Sequence, residues 1–164
     1  MLVGQRGYRS QFINWISLDD WQDPFAVTLT LRQCVSVPNG TSAVTQWLTD
    51  TAASQNMRHF LNKLDRSVFG KAATRFGKRV GCVPVLEGGT GKRLHYHAVI
   101  DCPRPELAGD FPLLIAHTWG STMWGYWQVN CQNDADHGWL SYITKFRDKS
   151  DFADAIDWVN VRLQ

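Results

Sequence analysis

Seven residues, Phe25-Ala26-Val27-Thr28-Leu29-Thr30-Leu31, alternate apolar side chains with small or polar ones. Period two over this length marks a strand with one face turned to a core, so the rest of the chain must supply that core. Two further strand-like runs, Arg79 to Glu87 and Leu94 to Asp101, flank Gly88-Gly89-Thr90-Gly91-Lys92-Arg93, and Pro103 and Pro105 close the second. Gly125 to Cys131 is a fourth strand.

Helices are expected between and after these strands. Pro38-Asn39-Gly40 is a turn, and Thr41 or Ser42 is placed to cap a helix through Val44, Trp47, Leu48, Phe60, Leu61, Leu64 and Val68. That helix should end near Gly70, with a break allowed near residue 55. Asp110 should cap a short helix through Trp119, with Pro112 in its first turn, where a missing N–H does no harm. Asp134 or Asp136 should cap a last helix through Trp139, Tyr142, Ile143 and Phe146. The order is the split βαβ pattern of an α+β, ferredoxin-like (RRM-like) fold. It predicts a central antiparallel sheet, helices on one face, and one added helix. No repeat or linker interrupts residues 1–164, so one domain is expected, with 1–24 an extension packing on or near the sheet.

The alternation assigns sides. Phe25, Val27, Leu29, Leu31, Leu94, Tyr96, Ala98, Ile100, Trp127, Val129 and Cys131 should face the helices. Thr28, Thr30, His95, His97, Tyr126, Gln128 and Asn130 should line an open, polar face. Chemistry is expected there.

Charge is uneven although the net value is only +2. Residues 58–93 hold nine basic and two acidic side chains, and the segments on either side are net acidic. Such a segment, with Arg75, Lys78, Arg79, Lys92 and Arg93, is either a groove for a polyanion or a solvated helix face. A composition of 44% hydrophobic and 20% charged residues excludes a disordered or rod-like chain. Apolar runs as short as Leu113–Ala116 cannot span a bilayer, and the first ten residues lack the apolar stretch of a secretory signal. A soluble intracellular protein is expected. Cys34, Cys82, Cys102 and Cys131 show no metal-binding spacing and read as buried small apolar residues.

His95 and His97 in one strand share a face, with Cα atoms about 7 Å apart, a spacing that lets two imidazoles grip one divalent ion. Closure of the hairpin over the seven residues 88–94 would set Glu87 opposite His95 on that face; an even-length loop would set it on the other. Two imidazoles and a carboxylate leave positions for phosphate oxygen and suit Mn²⁺ or Mg²⁺ as a Lewis acid. The glycine-rich stretch is not a nucleotide-binding P-loop: Leu86 stands where glycine is required, and Arg93 replaces the Ser or Thr that would hold Mg²⁺. Tyr142 and Lys145 lie one helical turn apart, with Lys149 on the same side. A phenol of pKa near 10 needs a strongly polarised electrophile, which a metal-bound phosphodiester is.

The ordered set Phe25-Ala-Val-Thr-Leu-Thr, His95-Tyr96-His97 and Tyr142-Ile-Thr-Lys145 resembles the three motifs of HUH endonucleases. It is most similar to the rolling-circle replication initiators (Rep proteins) with a single catalytic tyrosine, over about residues 25–149. The resemblance implies metal ligation by Glu87, His95 and His97 and attack by Tyr142, with Lys145 holding or neutralising the reacting groups. It implies sequence-specific nicking and joining of single-stranded or locally melted origin DNA through a 5′-phosphotyrosine. A separate helicase and host replication proteins would be partners, because no helicase domain is recognisable, and the location would be the cytoplasm, or a host's cytoplasm or nucleus. A transposase or relaxase shares this chemistry, although relaxases usually carry three histidines. A non-enzymatic single-stranded nucleic-acid-binding module on the same scaffold would place more aromatics on the open face.

Other residues carry weaker expectations. His59 and His117 read as structural, and His137 lies near the tyrosine helix. Most of the eight tryptophans should be core, with an exposed one free to stack on bases. Tyr8, Phe12 and Trp15, with Arg6 and Arg9, form either a DNA-contacting arm or packing on the sheet edge.

Overall fold

The computed structural model describes the fold of residues 3–145 and 152–164, with side chains over 7–145 and 153–164. The Arg6 side chain, Phe146 and Lys149 therefore lie outside the described residues. The elements are α1 (Val3–Ile16), β1 (Pro24–Leu31), β2 (Cys34–Asn39), β3 (Ser42–Trp47), α2 (Asp50–Phe69) and α3 (Lys71–Arg75). Then follow β4 (Cys82–Gly89), β5 (Lys92–Asp101), α4 (Phe111–Gly120), β6 (Gly125–Gln132) and α5 (His137–Ile143). Four strands form one antiparallel sheet in the order β4-β5-β1-β6, the arrangement of a ferredoxin-like α+β fold.

One face of the sheet is covered as the alternation requires. Val27, Leu29, Leu31, Tyr96, Ala98 and Ile100 are fully buried against Met57, Phe60, Leu61 and Leu64 of α2 and Phe111, Ile115 and Trp119 of α4. Each such large side chain contributes roughly 1.5–3 kcal/mol on burial. Helix α2 starts where Thr49 accepts from the Ala52 N–H at 3.1 Å and ends at Gly70, whose φ is 57°.

Four expectations are corrected here. The helix does not begin at Thr41 or Ser42 and has no break near 55; residues 34–47 form the two-stranded hairpin β2–β3, closed by Gly40 and Thr41. Val44, Trp47 and Leu48 have helical spacing, but a run of β-branched residues around a Gly turn pairs with itself first. Secondly, Arg79 precedes the strand, because the Val80 N–H donates to Asp65 Oδ1 at 2.8 Å and β4 begins at Cys82. Thirdly, Trp127 is 73% exposed rather than covered. The β1–β6 register shifts between Leu29 and Leu31, so residues 126–128 all face Thr30 and β6 arches outward. Finally, Trp15, Trp47, Trp127 and Trp158 are exposed and only Trp21, Trp119 and Trp124 are buried, while Cys34 is exposed and Cys131 half-buried.

The second face is not open throughout. Val83, Val85 and Val99 lie under a separate apolar cluster with Phe12 and Ile16 of α1, Leu140 and Ile143 of α5, and Ile156. Helices thus lie on both faces. The segment after residue 152 runs along the outer edge of β4. Cys82 and Arg162 exchange backbone hydrogen bonds at 2.8 Å, and the Leu86 N–H donates to the Ala155 carbonyl at 2.8 Å.

Candidate active site

Cross-strand registers lay the second face out in rows. Val83, Val99, Ala26 and Gln132 form one row, Val85, His97, Thr28 and Asn130 the next, and Glu87, His95 and Thr30 the last. The first row is apolar enough to be covered. The other two carry the polar groups. Glu87 pairs with His95, as a seven-residue closure would require, but by another route. Gly89 pairs with Lys92, leaving a two-residue loop of Thr90 and Gly91, and Gly88 alone then faces both Arg93 and Leu94. The extra residue on β5 is a β-bulge, and it restores the parity that an even loop would lose.

The three side chains converge. Glu87 Oε2 lies 3.3 Å from His97 Nε2 and 3.7 Å from His95 Nε2, and the two Nε2 atoms are 3.2 Å apart. All ligand atoms lie within 4.8 Å of one another, and this is the one His/Cys/Asp/Glu group of that kind among the described residues. The outer nitrogens are occupied. His95 Nδ1 donates to the Arg93 carbonyl at 3.0 Å, and His97 Nδ1 lies 3.0 Å from Thr28 Oγ1. A proton on each Nδ1 leaves two Nε2 lone pairs facing each other beside a carboxylate. That arrangement is repulsive without a cation and fits a divalent ion well.

Helix α5 brings up the tyrosine. Asp136 accepts from the Trp139 N–H at 2.8 Å and caps its start. The helix ends at Ile143, earlier than Phe146, and Lys145 lies just beyond it. The Tyr142 ring stacks on Trp139 (5.3 Å, 18°) and meets His97 edge-on at 5.7 Å. Trp139 is itself fixed by its indole N–H, which donates to the Ala98 carbonyl at 3.0 Å. Lys145 Nζ lies 5.6 Å from the Tyr142 ring centre. The structure therefore gathers Glu87, His95, His97, Tyr142 and Lys145 into one place. Tyr96 is excluded as a rival: it is fully buried, its hydroxyl donates to Asp157 at 2.9 Å, and burial, then the Asp157 carboxylate, push its pKa up.

The remaining residues divide. Thr28 is engaged with His97, and the Thr30 hydroxyl donates to the Gln128 carbonyl inside the β6 arch. Gln128 and Asn130 are exposed on β6. Lys92 and Arg93 are exposed at the site end of β5, with the Arg93 guanidinium 5.6 Å from the Tyr126 ring centre. Arg75, Lys78 and Arg79 are exposed but not gathered with them. They precede Cys82, five strand residues (~17 Å) from Glu87. Arg9 serves neither as a DNA arm nor as packing on the sheet edge; its Nε donates to the Thr144 carbonyl at 3.1 Å and its Nη2 to the Ser141 carbonyl. Nothing in the local sequence signalled that contact, which spans 135 residues. Among the described residues no helix is long and apolar enough to cross a membrane.

A family of replication-associated proteins, the ORF2 type, matches residues 24–151. No curated protein and no solved structure matches the chain.

Proposed function

Since the chain belongs to this replication-associated protein family of rolling-circle initiators, we propose that it nicks and rejoins single-stranded origin DNA through Tyr142. The observation that supports this reading is the placement of a phenol beside three convergent metal ligands on one sheet face. Glu87, His95 and His97 would hold Mn²⁺ or Mg²⁺, which supplies Lewis-acid polarisation of the scissile phosphate.

The chain's own groups do the rest. The Tyr142 oxygen attacks phosphorus as the phenol gives up its proton; the P–O3′ bond breaks, and the departing 3′ oxygen takes a proton. The products are a 5′-phosphotyrosine and a free 3′-OH, and a later 3′-OH reverses the step. Stacking on Trp139 orients the phenol, which is most of what positioning can add. The Lys145 ammonium, next to the ring, offsets negative charge developing at the reacting oxygens. Single-stranded DNA crosses from Lys92 and Arg93 over Thr30 toward Gln128 and Asn130. A helicase and host replication proteins would act separately on the opened strand. A binding module without catalysis has no use for a ligand set of this kind, so the enzymatic reading is preferred.

The test is a denaturing gel after incubation with Mn²⁺ and a labelled single-stranded origin library. A covalent band should form with the wild-type protein, and mass spectrometry should find the nucleotide on the peptide containing Tyr142. Tyr142→Phe should bind DNA with nearly unchanged affinity and give no adduct. A nucleotide on any other residue, or full activity of Tyr142→Phe, overturns the mechanism.

A further inference from the structure

The bulge that brings Glu87 to the histidines has its own lock. Residues Thr90 and Gly91 make a two-residue loop, and from an even loop an unbulged ladder would pair Glu87 with Leu94. Period two would then turn the Glu87 side chain to the α2–α4 core, away from His95 and His97. What prevents this is visible on both sides of β5.

On the β4 side stands Gly88, with φ of 104°; a Cβ there would meet the Arg93 carbonyl oxygen at 2.3 Å. Only glycine lets the facing strand crowd this closely. On the β1 side the ladder with β5 stops at Thr30 and His95, and the side chain of Gln33 takes over. Its Oε1 accepts from the Leu94 N–H at 2.8 Å, and its Nε2 donates to the carbonyls of Leu94 at 3.1 Å and Leu31 at 2.8 Å. A carboxamide is a peptide group in miniature, and here it supplies the missing rung, holding both backbone groups of the bulged residue. Gln33 is itself held, because its carbonyl accepts from the Leu48 N–H at 2.9 Å at the base of the β2–β3 hairpin. The bulge also aims the Arg93 carbonyl at His95 Nδ1, so one distortion sets both the third ligand and the orientation of the first.

We infer that Gln33 is a positioning residue: by pinning Leu94 it fixes the β4–β5 register that delivers Glu87 to His95 and His97. The value of that register rests on the metal-dependent reading above. The register itself is tested without metal, from the cross-strand backbone NOE between Glu87 and His95. The wild-type protein should show it. Gln33→Leu, which keeps the size and removes every hydrogen bond, should lose it in favour of an NOE between Glu87 and Leu94, and Gly88→Ala should do the same from the other strand. Gln33→Glu keeps the acceptor for the Leu94 N–H and should restore the native pattern in part. Retention of the native NOE in both Gln33→Leu and Gly88→Ala overturns the inference.

Mn²⁺ affinity supplies the second arm. Gln33→Leu should weaken it about tenfold. In a Glu87→Ala background the same substitution should cost almost nothing, because the ligand it positions is already gone. An equal loss in both backgrounds marks a general structural effect and overturns the inference. A wild-type protein that shows the native NOE but does not retain Mn²⁺ overturns the metal reading instead, and the NOE arm still judges Gln33.

Discussion

A histidine can ligate an ion only through a nitrogen that carries no proton, so the group bonded to the other nitrogen decides which atom is offered. For His97 that group is Thr28, read from the sequence as a DNA contact and found 3.0 Å from Nδ1. His97 is 8% exposed, so no bulk water replaces the hydroxyl if it is lost. Thr28→Val keeps the branched shape that β1 needs and removes the oxygen. We expect Mn²⁺ affinity to fall about tenfold with little change in DNA affinity measured in chelator. Isothermal titration of both variants decides it, and unchanged Mn²⁺ affinity would assign Thr28 to packing. The ligands themselves were legible because strand period and residue chemistry are local. The groups that orient them were not, since Arg93 acts through its backbone and Thr28 through a register that the sequence leaves unspecified.

Helix α5 is two turns long, too short to hold its shape by itself. Three things fix it: the Asp136 cap, the buried Leu140 and Ile143, and Arg9 reaching from α1 to the carbonyls at its C-terminal end. Arg9→Met removes the last of these and leaves half-buried carbonyls without that donor. Small displacements of a nucleophile are costly, so the rate of adduct formation should drop about tenfold or more. Mn²⁺ and DNA affinities should stay within about twofold, and Arg9→Lys should recover part of the rate. Single-turnover kinetics measure this directly; a parallel loss of DNA affinity would place Arg9 in the DNA arm after all. Element by element, the sequence revealed the four strands, α4 and the start of α5, where alternation or a cap is unambiguous. It misplaced the start of α2 because Val44, Trp47 and Leu48 satisfy helical spacing, and only pairing with Cys34–Asn39 makes them a strand. It also left the second face too open, since Val83, Val85 and Val99 become a cluster only when α1, α5 and the last residues arrive.

Across the whole molecule the basic segment splits in two. Lys92 and Arg93 lie at the site end of the sheet, whereas Arg75, Lys78 and Arg79 lie beyond the other end of β4. Replacing Lys92 and Arg93 by alanine should lower the slope of log affinity against log salt by about 1.4 for a single strand, at about 0.7 per contact. The triple Ala variant of Arg75, Lys78 and Arg79 should leave the slope unchanged on an oligonucleotide of about six nucleotides and lower it only on longer ones. An equal effect on both lengths would mean that the strand runs toward α3. The segment lying along β4 has a different consequence. An outer strand offers a row of unsatisfied amides to any other extended chain, and proteins that leave one bare tend to aggregate. Here Ala155 to Arg162 fill that row with their own backbone, while Asp157 accepts from Tyr96 beneath. Residues 152–164 thus act as a built-in competitor for the place a foreign strand would take. Removing them should leave the metal ligands intact yet turn a monodisperse protein into one whose light scattering grows with concentration.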